Sequence, residues 1–136
     1  MATINLVADF SPFPDDTVLG PSFTLSGFEF DDLGGVSPSF VNESGSVKGL
    51  QFERTGVQIE LPVPVNRVRI RAAAFAGPFD LIGKDAAGAT VVTRTVPGDN
   101  TPHTVVLTGP NIATVDCVGG GNEGVIITVS IKVNVC

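Results

Sequence analysis

The last twelve residues of the chain are Val125-Ile-Ile-Thr-Val-Ser-Ile-Lys-Val-Asn-Val-Cys136, and they alternate apolar and polar side chains almost without interruption. A period of two residues is typical of a β-strand with one buried face. The stretch therefore predicts one long strand whose inward residues are Val125, Ile127, Val129, Ile131, Val133 and Val135. The outward residues are then Thr128, Ser130, Lys132, Asn134 and Cys136.

The composition outside that stretch is also that of an all-β protein. Valine, threonine, isoleucine and phenylalanine are abundant, while 16 glycines and 10 prolines punctuate the chain. Turn signals recur about every 8 to 12 residues with no helical pattern between them. Together these features predict a single-domain antiparallel two-sheet β-sandwich of the jelly-roll type over residues 1–136. It would have about nine or ten strands and no substantial helix.

Local signals place the expected strand ends. A slip in the alternation at Ser26-Gly27 predicts a β-bulge within a strand over residues 22–30. The prolines of Leu61-Pro-Val-Pro64 are expected to close a strand that begins at Val57. Gly109-Pro110 is expected to separate two further strands, and the glycine-rich loop 119–124 to join a hairpin that ends in the final strand.

A central segment carries a resemblance to a known superfamily. It consists of Leu61-Pro-Val-Pro-Val-Asn-Arg-Val-Arg-Ile70, followed by Phe79-Asp-Leu-Ile-Gly-Lys-Asp-Ala-Ala-Gly-Ala-Thr-Val91. This order of prolines, strand and hairpin resembles the galactose-binding-like jelly rolls over residues 49–107. The resemblance implies a jelly-roll sandwich. Because that superfamily includes carbohydrate-binding modules, adhesins and structural domains, the fold alone does not decide the function.

The charge of the chain disfavours two classes of partner. Its 14 acidic and 8 basic residues give a formal net charge of −6, which repels nucleic acids and anionic membranes. No apolar run approaches the roughly 20 residues of a membrane-spanning helix, so we expect no membrane insertion. The N-terminal residues lack the pattern of a signal peptide. The expected location is nevertheless extracellular or at the cell surface.

Catalytic and zinc motifs are absent from the sequence. The single histidine, His103, has no neighbouring nucleophile motif, and two cysteines are fewer than the ligands of a zinc site. The sequence therefore predicts neither an enzyme nor a cofactor. The acidic pairs Asp15-Asp16 and Asp31-Asp32 are expected in loops, where they are either structural Ca²⁺ ligands or solvated turn residues.

Two groups of residues are candidates for ligand binding. Arg67, Arg69 and Arg71 lie on one side of one predicted strand, spaced by about 6.7 Å. This ladder either clamps an anionic glycan or a partner's carboxylates, or it pairs with acids on neighbouring strands, namely Glu53, Glu60 or Asp80. In the glycine-rich loop, Asn122 and Glu123 are either recognition groups or parts of a plain turn.

The aromatic residues and cysteines narrow these possibilities. All nine aromatic residues are phenylalanine, so the chain lacks the Trp or Tyr platforms on which sugar rings usually stack. The predicted hairpin separates Cys117 from Cys136 by about 36 Å of extended chain, too far for a disulfide. We therefore expect Cys117 to be buried, and Cys136 to be free or to form an intersubunit contact.

Two functions remain open from the sequence. The first is a non-catalytic structural subunit that self-associates through sheet edges into a homo-oligomer in an extracellular or surface assembly. The second is a carbohydrate-binding or adhesin-type recognition module. Negative-stain electron microscopy together with size-exclusion chromatography of the pure protein would distinguish the two.

Overall fold

The computed structural model describes residues 2–34, 39–45 and 47–135, so the predicted contact of Cys136 lies outside the described residues. This part of the chain forms eleven strands and one 3-10 turn, Gly120–Asn122. Every strand pair is antiparallel, which confirms the all-β prediction. The strands are β1 Ala2–Asp9, β2 Val18–Gly20, β3 Ser22–Leu25, β4 Phe28–Asp32, β5 Ser39–Ser44, β6 Val47–Phe52, β7 Val57–Ala74, β8 Phe79–Lys84, β9 Thr90–Val96, β10 His103–Gly119 and β11 Gly124–Val135.

Two long strands, β7 and β10, contribute to both layers of the sandwich. Residues 57–60 of β7 and 114–119 of β10 join β3, β4, β8 and β9 in what we call the first sheet. Residues 65–74 of β7 and 103–112 of β10 join β1, β2, β5, β6 and β11 in the second sheet. Because the two sheets share these strands, one hydrogen-bonded path runs through both.

One main core fills the space between the two sheets. It combines side chains of the first sheet, such as Ile59 and Leu81, with side chains of the second, such as Ile70 and Val129. Phenylalanines pack at one end, where the ring centroids of Phe23 and Phe30 are 4.9 Å apart. Within the described ranges there is no helix long and apolar enough to cross a membrane.

The predicted bulge at Ser26-Gly27 is wrong, because these two residues form the turn of a hairpin. Leu25 pairs with Phe28, and both turn residues have positive φ, 54° at Ser26 and 87° at Gly27. Positive φ at both central residues is typical of a tight type I′ hairpin turn. The chain reverses there, and the second strand of the hairpin extends through Asp31 and Asp32. Those two acids were expected in a loop.

The prolines of β7 do not end that strand. Its register against β10 shifts where the prolines lie, from the pair Glu60–Thr114 to the pair Val65–Ile112. Proline has no N–H to donate, and an irregular stretch of the ladder does not need that donor. The strand therefore continues over 18 residues. β10 likewise runs through Gly109-Pro110, so the predicted strand break there is also wrong.

The final strand follows its predicted alternation only in part. Val129 and Ile131 belong to the main core, but the register against β7 shifts between Ile126 and Thr128. Ile126 therefore enters the main core, while Val125 joins a separate small cluster against which Ile127 packs. The predicted inward side is correct from Val129 to Val133 and wrong at the start of the strand.

The neighbours of the final strand also differ from the predicted hairpin. β11 pairs with β1 along one side and with β7 along the other, and β7 lies between β10 and β11. Because β11 has paired strands on both sides as far as Ser130, its sequence, with one lysine and no proline, no longer requires a partner chain to cover it. Cys117 is buried with a free thiol, as predicted for that residue, and burial raises the pKa of this thiol.

Candidate ligand-binding face

The outward side of the second sheet carries a concentration of positive charge. Arg67, Arg69 and Arg71 are exposed on β7, and Lys132 is exposed on the neighbouring strand β11. These four residues are half of the chain's eight basic residues. We call this surface the basic face. Ser130 lies opposite Arg69 and also opposite Val7, so the face extends across β11 to β1.

A groove of about 860 Å³ runs along part of the basic face. Arg67, Arg69 and Lys132 line it, whereas Arg71 does not. Its other polar lining comes mainly from four asparagines, Asn5, Asn66, Asn111 and Asn134. Its apolar lining includes Val7, Val63, Pro64 and Val65, of which Val7 and Val63 are 41% and 40% exposed. The groove thus combines cations, amides and an apolar wall.

The pairing of the strands explains why the groove forms. β11 pairs with β7 as far as Ser130–Arg69, but it continues to pair with β1 to its last residue. From that pair toward Lys132 on β11 and Arg67 on β7, the two strands are not hydrogen-bonded to each other. The groove occupies the space between them. The backbone N–H of Asn111, a residue with φ of 54°, donates to Oδ1 of Asn66 at 3.0 Å and fixes one wall.

The four cations of the basic face have no hydrogen bond or ion pair with any residue in the described ranges. Two of the acids proposed as their partners lie on the outward side of the first sheet. Glu60 lies beside Glu29 and Asp31, while Asp80 accepts a hydrogen bond from Thr95 at 2.8 Å. The predicted pairing of the arginine ladder with Glu60 or Asp80 is therefore wrong. The third acid, Glu53, is half-buried just after β6.

The outward side of the first sheet is acidic, and most of its charges have partners. We define the acidic face by Glu29, Asp31, Glu60, Asp80 and Asp116. The buried Asp116 accepts a hydrogen bond from Gln58 at 2.9 Å and an ion pair from Lys84 at 2.7 Å. Asp31 accepts a hydrogen bond from the Ser22 hydroxyl at 2.6 Å. These contacts tie neighbouring strands of the first sheet together.

Three carboxylates of the acidic face are crowded. Oxygen atoms of Glu29, Asp31 and Glu60 lie within 4.8 Å of one another. A hydrogen bond with Glu60 and the negative charge of Asp31 raise the pKa of Glu29, because both favour its protonated form. Crowding of like charges by itself is common on protein surfaces and does not make a metal site.

Only one of the four predicted calcium ligands, Asp31, belongs to that cluster. Asp15 accepts hydrogen bonds from the backbone N–H groups of Asp16 and Glu43, at 3.0 Å and 2.8 Å. Asp32 accepts a hydrogen bond from the Ser39 hydroxyl at 2.5 Å. These contacts give Asp15 and Asp32 structural roles at opposite ends of β5. A structural Ca²⁺ at these residues stays a prediction.

The predicted recognition groups of the glycine-rich loop lie at the far end of β7 from the groove. Oδ1 of Asn122 accepts a hydrogen bond from the backbone N–H of Arg54 at 2.9 Å. The backbone carbonyl of Asn122 accepts a hydrogen bond from Nε2 of Gln51 at 3.0 Å. Glu123 is exposed beside it. The structure therefore uses Asn122 to connect loops, and it does not bring Asn122 and Glu123 together with the arginine ladder.

His103 lies in a small polar cluster without the geometry of a catalytic triad. Its Nε2 atom is 2.8 Å from Oδ2 of Asp99 and 3.2 Å from the hydroxyl of Thr101. A triad requires the nucleophile and the acid on different ring nitrogens, whereas here the same nitrogen faces both. The Thr101 hydroxyl also donates to Asp99 at 2.8 Å. These hydrogen bonds lower the pKa of Asp99 and hold the loop before β10.

Sequence reasoning found the arginine ladder but not the groove. The alternation placed Lys132 outward, yet only the long-range pairing of β11 with β7 puts it on the same face as the arginines. The four groove asparagines are far apart in the chain, at positions 5, 66, 111 and 134. No local motif connects them, so no signal in the sequence could have grouped them.

Comparisons with known proteins relate the chain to carbohydrate-binding modules by fold alone. No protein-family model matches it, and no curated protein matches it. Among solved structures, a tyrosine-to-alanine variant of the family 29 carbohydrate-binding module CBM29-2 has a TM-score of 0.58 at 12% identity. That match covers 96% of this chain and 93% of the other.

Two further solved structures agree with this likeness. A glutamate-to-arginine variant of a family 29 module has a TM-score of 0.57 at 12% identity, over 96% of this chain and 92% of the other. An aspartate-to-alanine variant of CBM29-2, complexed with mannohexaose, has a TM-score of 0.56 at 12% identity. That match covers 97% of this chain and 93% of the other. These matches confirm the β-sandwich fold, and at such low identity they carry no information about individual residues.

Proposed function

We propose that this protein is a non-catalytic glycan-binding module, located outside the cell or at its surface, whose ligand occupies the groove of the basic face. The observation that carries the proposal is the lining of that groove, where four amides and an apolar wall converge with cations that have no partner among the described residues. The sandwich fold shared with carbohydrate-binding modules supports it, because such modules provide a precedent for glycan binding by this architecture.

The chemistry of the lining suits a sugar chain. Each asparagine side chain offers an acceptor oxygen and two donor hydrogens, and sugar hydroxyls both donate and accept. Exposed Val7 and Val63 provide apolar surface for the C–H groups of a sugar ring. Ligand sites generally combine such apolar surface with a few placed polar groups. The groove therefore offers hydroxyl recognition without an aromatic platform.

Affinity electrophoresis with soluble polysaccharides tests the proposal. The test variant is Asn5→Ala, which removes a groove amide without changing the charge. We expect it to weaken binding about two- to tenfold, as the loss of one hydrogen bond does. The matched control is Thr93→Ala, an exposed residue on β9 in the first sheet. Equal binding by both variants, or no binding to any polysaccharide, would reject the proposal.

A self-associating structural subunit is the second candidate, and the edge strand β1 favours it. Among the described strands β1 pairs only with β11, and residues 2–8 contain neither charge nor proline, the usual protections of a sheet edge. Sedimentation velocity over a wide concentration range tests this candidate. If the protein is a self-associating subunit, the wild type forms a dimer and the Thr3→Lys variant does not. A wild-type monomer at every concentration would exclude this candidate.

A further inference from the structure

We infer that the groove of the basic face selects acidic glycans, which carry carboxylate or sulfate groups, over neutral ones. This inference rests on the proposed function and specifies its ligand class. It depends on three observations: the uncompensated charge of the face, the chemistry of its lining, and the distribution of charge over the two sides of the sandwich.

The first observation is the missing counter-charge. Arg67, Arg69 and Lys132 line one groove in a protein whose net charge is −6, yet none of them has an acidic partner in the described ranges. Like charges that line one groove repel one another. An anionic ligand removes that repulsion, whereas a neutral sugar leaves it in place.

The second observation is the absence of aromatic side chains from the groove lining. Affinity for neutral sugars usually depends on a ring that stacks on the sugar and still forms hydrogen bonds at its edge. In this groove the strongest available contacts are guanidinium groups, which bind carboxylate or sulfate oxygens through two parallel hydrogen bonds. The lining therefore favours acidic groups at Arg67 and Arg69, with the asparagines left for hydroxyls.

The third observation is that the two outward faces have opposite sign. Five carboxylates define the acidic face, and Lys84 on that face is already paired with Asp116. The field of the protein therefore repels a polyanion from the first sheet and attracts it to the second, which concentrates the ligand at the groove. A neutral glycan experiences no such selection between the two faces.

Isothermal titration calorimetry with three probes tests the inference: polygalacturonate for carboxylates, heparin for sulfates, and mannan as the neutral control. We expect the wild type to bind at least one acidic probe about tenfold or more tightly than mannan, since charge-assisted hydrogen bonds are about twice as strong as neutral ones. Which acidic probe binds more tightly identifies the acidic group. Raising the salt concentration weakens acidic binding because it screens the charges.

Matched variants separate the groove from general attraction to polyanions. Arg69→Gln removes a groove charge and keeps much of the side chain, and we expect it to lose about tenfold in affinity for the acidic probe. Arg71→Gln is the control, because Arg71 lies on the same side of the same strand but outside the groove, and its loss should be no more than about threefold. Thermal unfolding confirms that both variants fold.

The possible outcomes are distinct. Binding of mannan as tight as that of the acidic probes, unchanged in Arg69→Gln, overturns the selectivity but leaves the glycan-binding function intact. Equal losses in Arg69→Gln and Arg71→Gln, or equally tight binding of a single-stranded oligonucleotide, show general polyanion attraction and also overturn it. Failure to bind any polysaccharide rejects the proposed function itself.

Discussion

The basic and acidic faces share β7 and β10, but they treat their charged side chains in opposite ways. On the acidic face, Asp116 is held between Gln58 and Lys84, and Asp31 accepts a hydrogen bond from Ser22. On the basic face, the four cations have no such partner within the part of the chain that the structure describes. The fold uses the polar groups of the first sheet for its own stability. The cations of the basic face are available to a ligand.

The largest effect on stability is expected at Asp116, the most buried charge of the acidic face. Asp116→Ala leaves Lys84 without its ion pair and Gln58 without its acceptor, so the free energy of unfolding should fall by about 1–3 kcal/mol. Urea unfolding measures it. A loss below about 0.5 kcal/mol would mean that the acidic face is as dispensable to folding as an ordinary surface, and the contrast between the faces would disappear.

A smaller effect of opposite sign is expected at the crowded carboxylates. Glu60→Gln removes a neighbouring charge from Glu29 and should raise the free energy of unfolding at pH 7. The pKa of Glu29 is raised in the folded protein, so the folded state binds this proton more readily than the unfolded state. As the pH falls from neutral through that raised pKa, Glu29 therefore adds stability. Below the pKa that Glu29 has in the unfolded chain, its contribution to the free energy of unfolding is fully present.

Urea unfolding between pH 4 and pH 8 measures this contribution, and we expect it to be smaller in Glu60→Gln than in the wild type. Glu123→Gln is the matched control, because Glu123 is an exposed acid outside the cluster. Identical pH profiles for Glu60→Gln and the wild type would show that Glu60 does not interact with Glu29 in solution.

The smallest effect on stability is expected on the basic face. Arg69→Ala removes a side chain that has no partner among residues 2–34, 39–45 and 47–135, so the free energy of unfolding should change by no more than about 0.5 kcal/mol. Thermal unfolding measures the change. A loss above about 1 kcal/mol would show that the fold itself requires the arginine ladder, and the basic face would then resemble the acidic one.

The fold class was predictable from the sequence because period-two alternation and frequent turns are local signals. The strand ends were less predictable. At Ser26-Gly27 the same interruption of the apolar–polar alternation fits either a bulge or a reversal of the chain. A serine in the sequence does not indicate the positive φ that Ser26 adopts. At Pro62 and Pro64 the outcome depended on a register shift in the partner strand β10, which local sequence does not encode.

The candidate site was predictable only where it lies on one strand. The spacing of Arg67, Arg69 and Arg71 was enough to place them on one side of β7. The predicted pairing with Glu60 failed because Glu60 precedes the register shift and Arg67 follows it. The buried side of β7 changes there from Ile59 and Leu61 to Val68 and Ile70, and the two charged groups lie in different sheets.

The point at which the pairing of β11 with β7 ends also bears on the kinetics of ligand binding. Each wall is held separately, one by the pairing of β7 with β10 and the other by the pairing of β11 with β1. A large backbone movement of either wall would disturb the ladder that holds it. The groove is therefore preorganised, and binding costs little backbone entropy. Association should be a single step whose observed rate rises linearly with ligand concentration, with no slower rearrangement after the encounter.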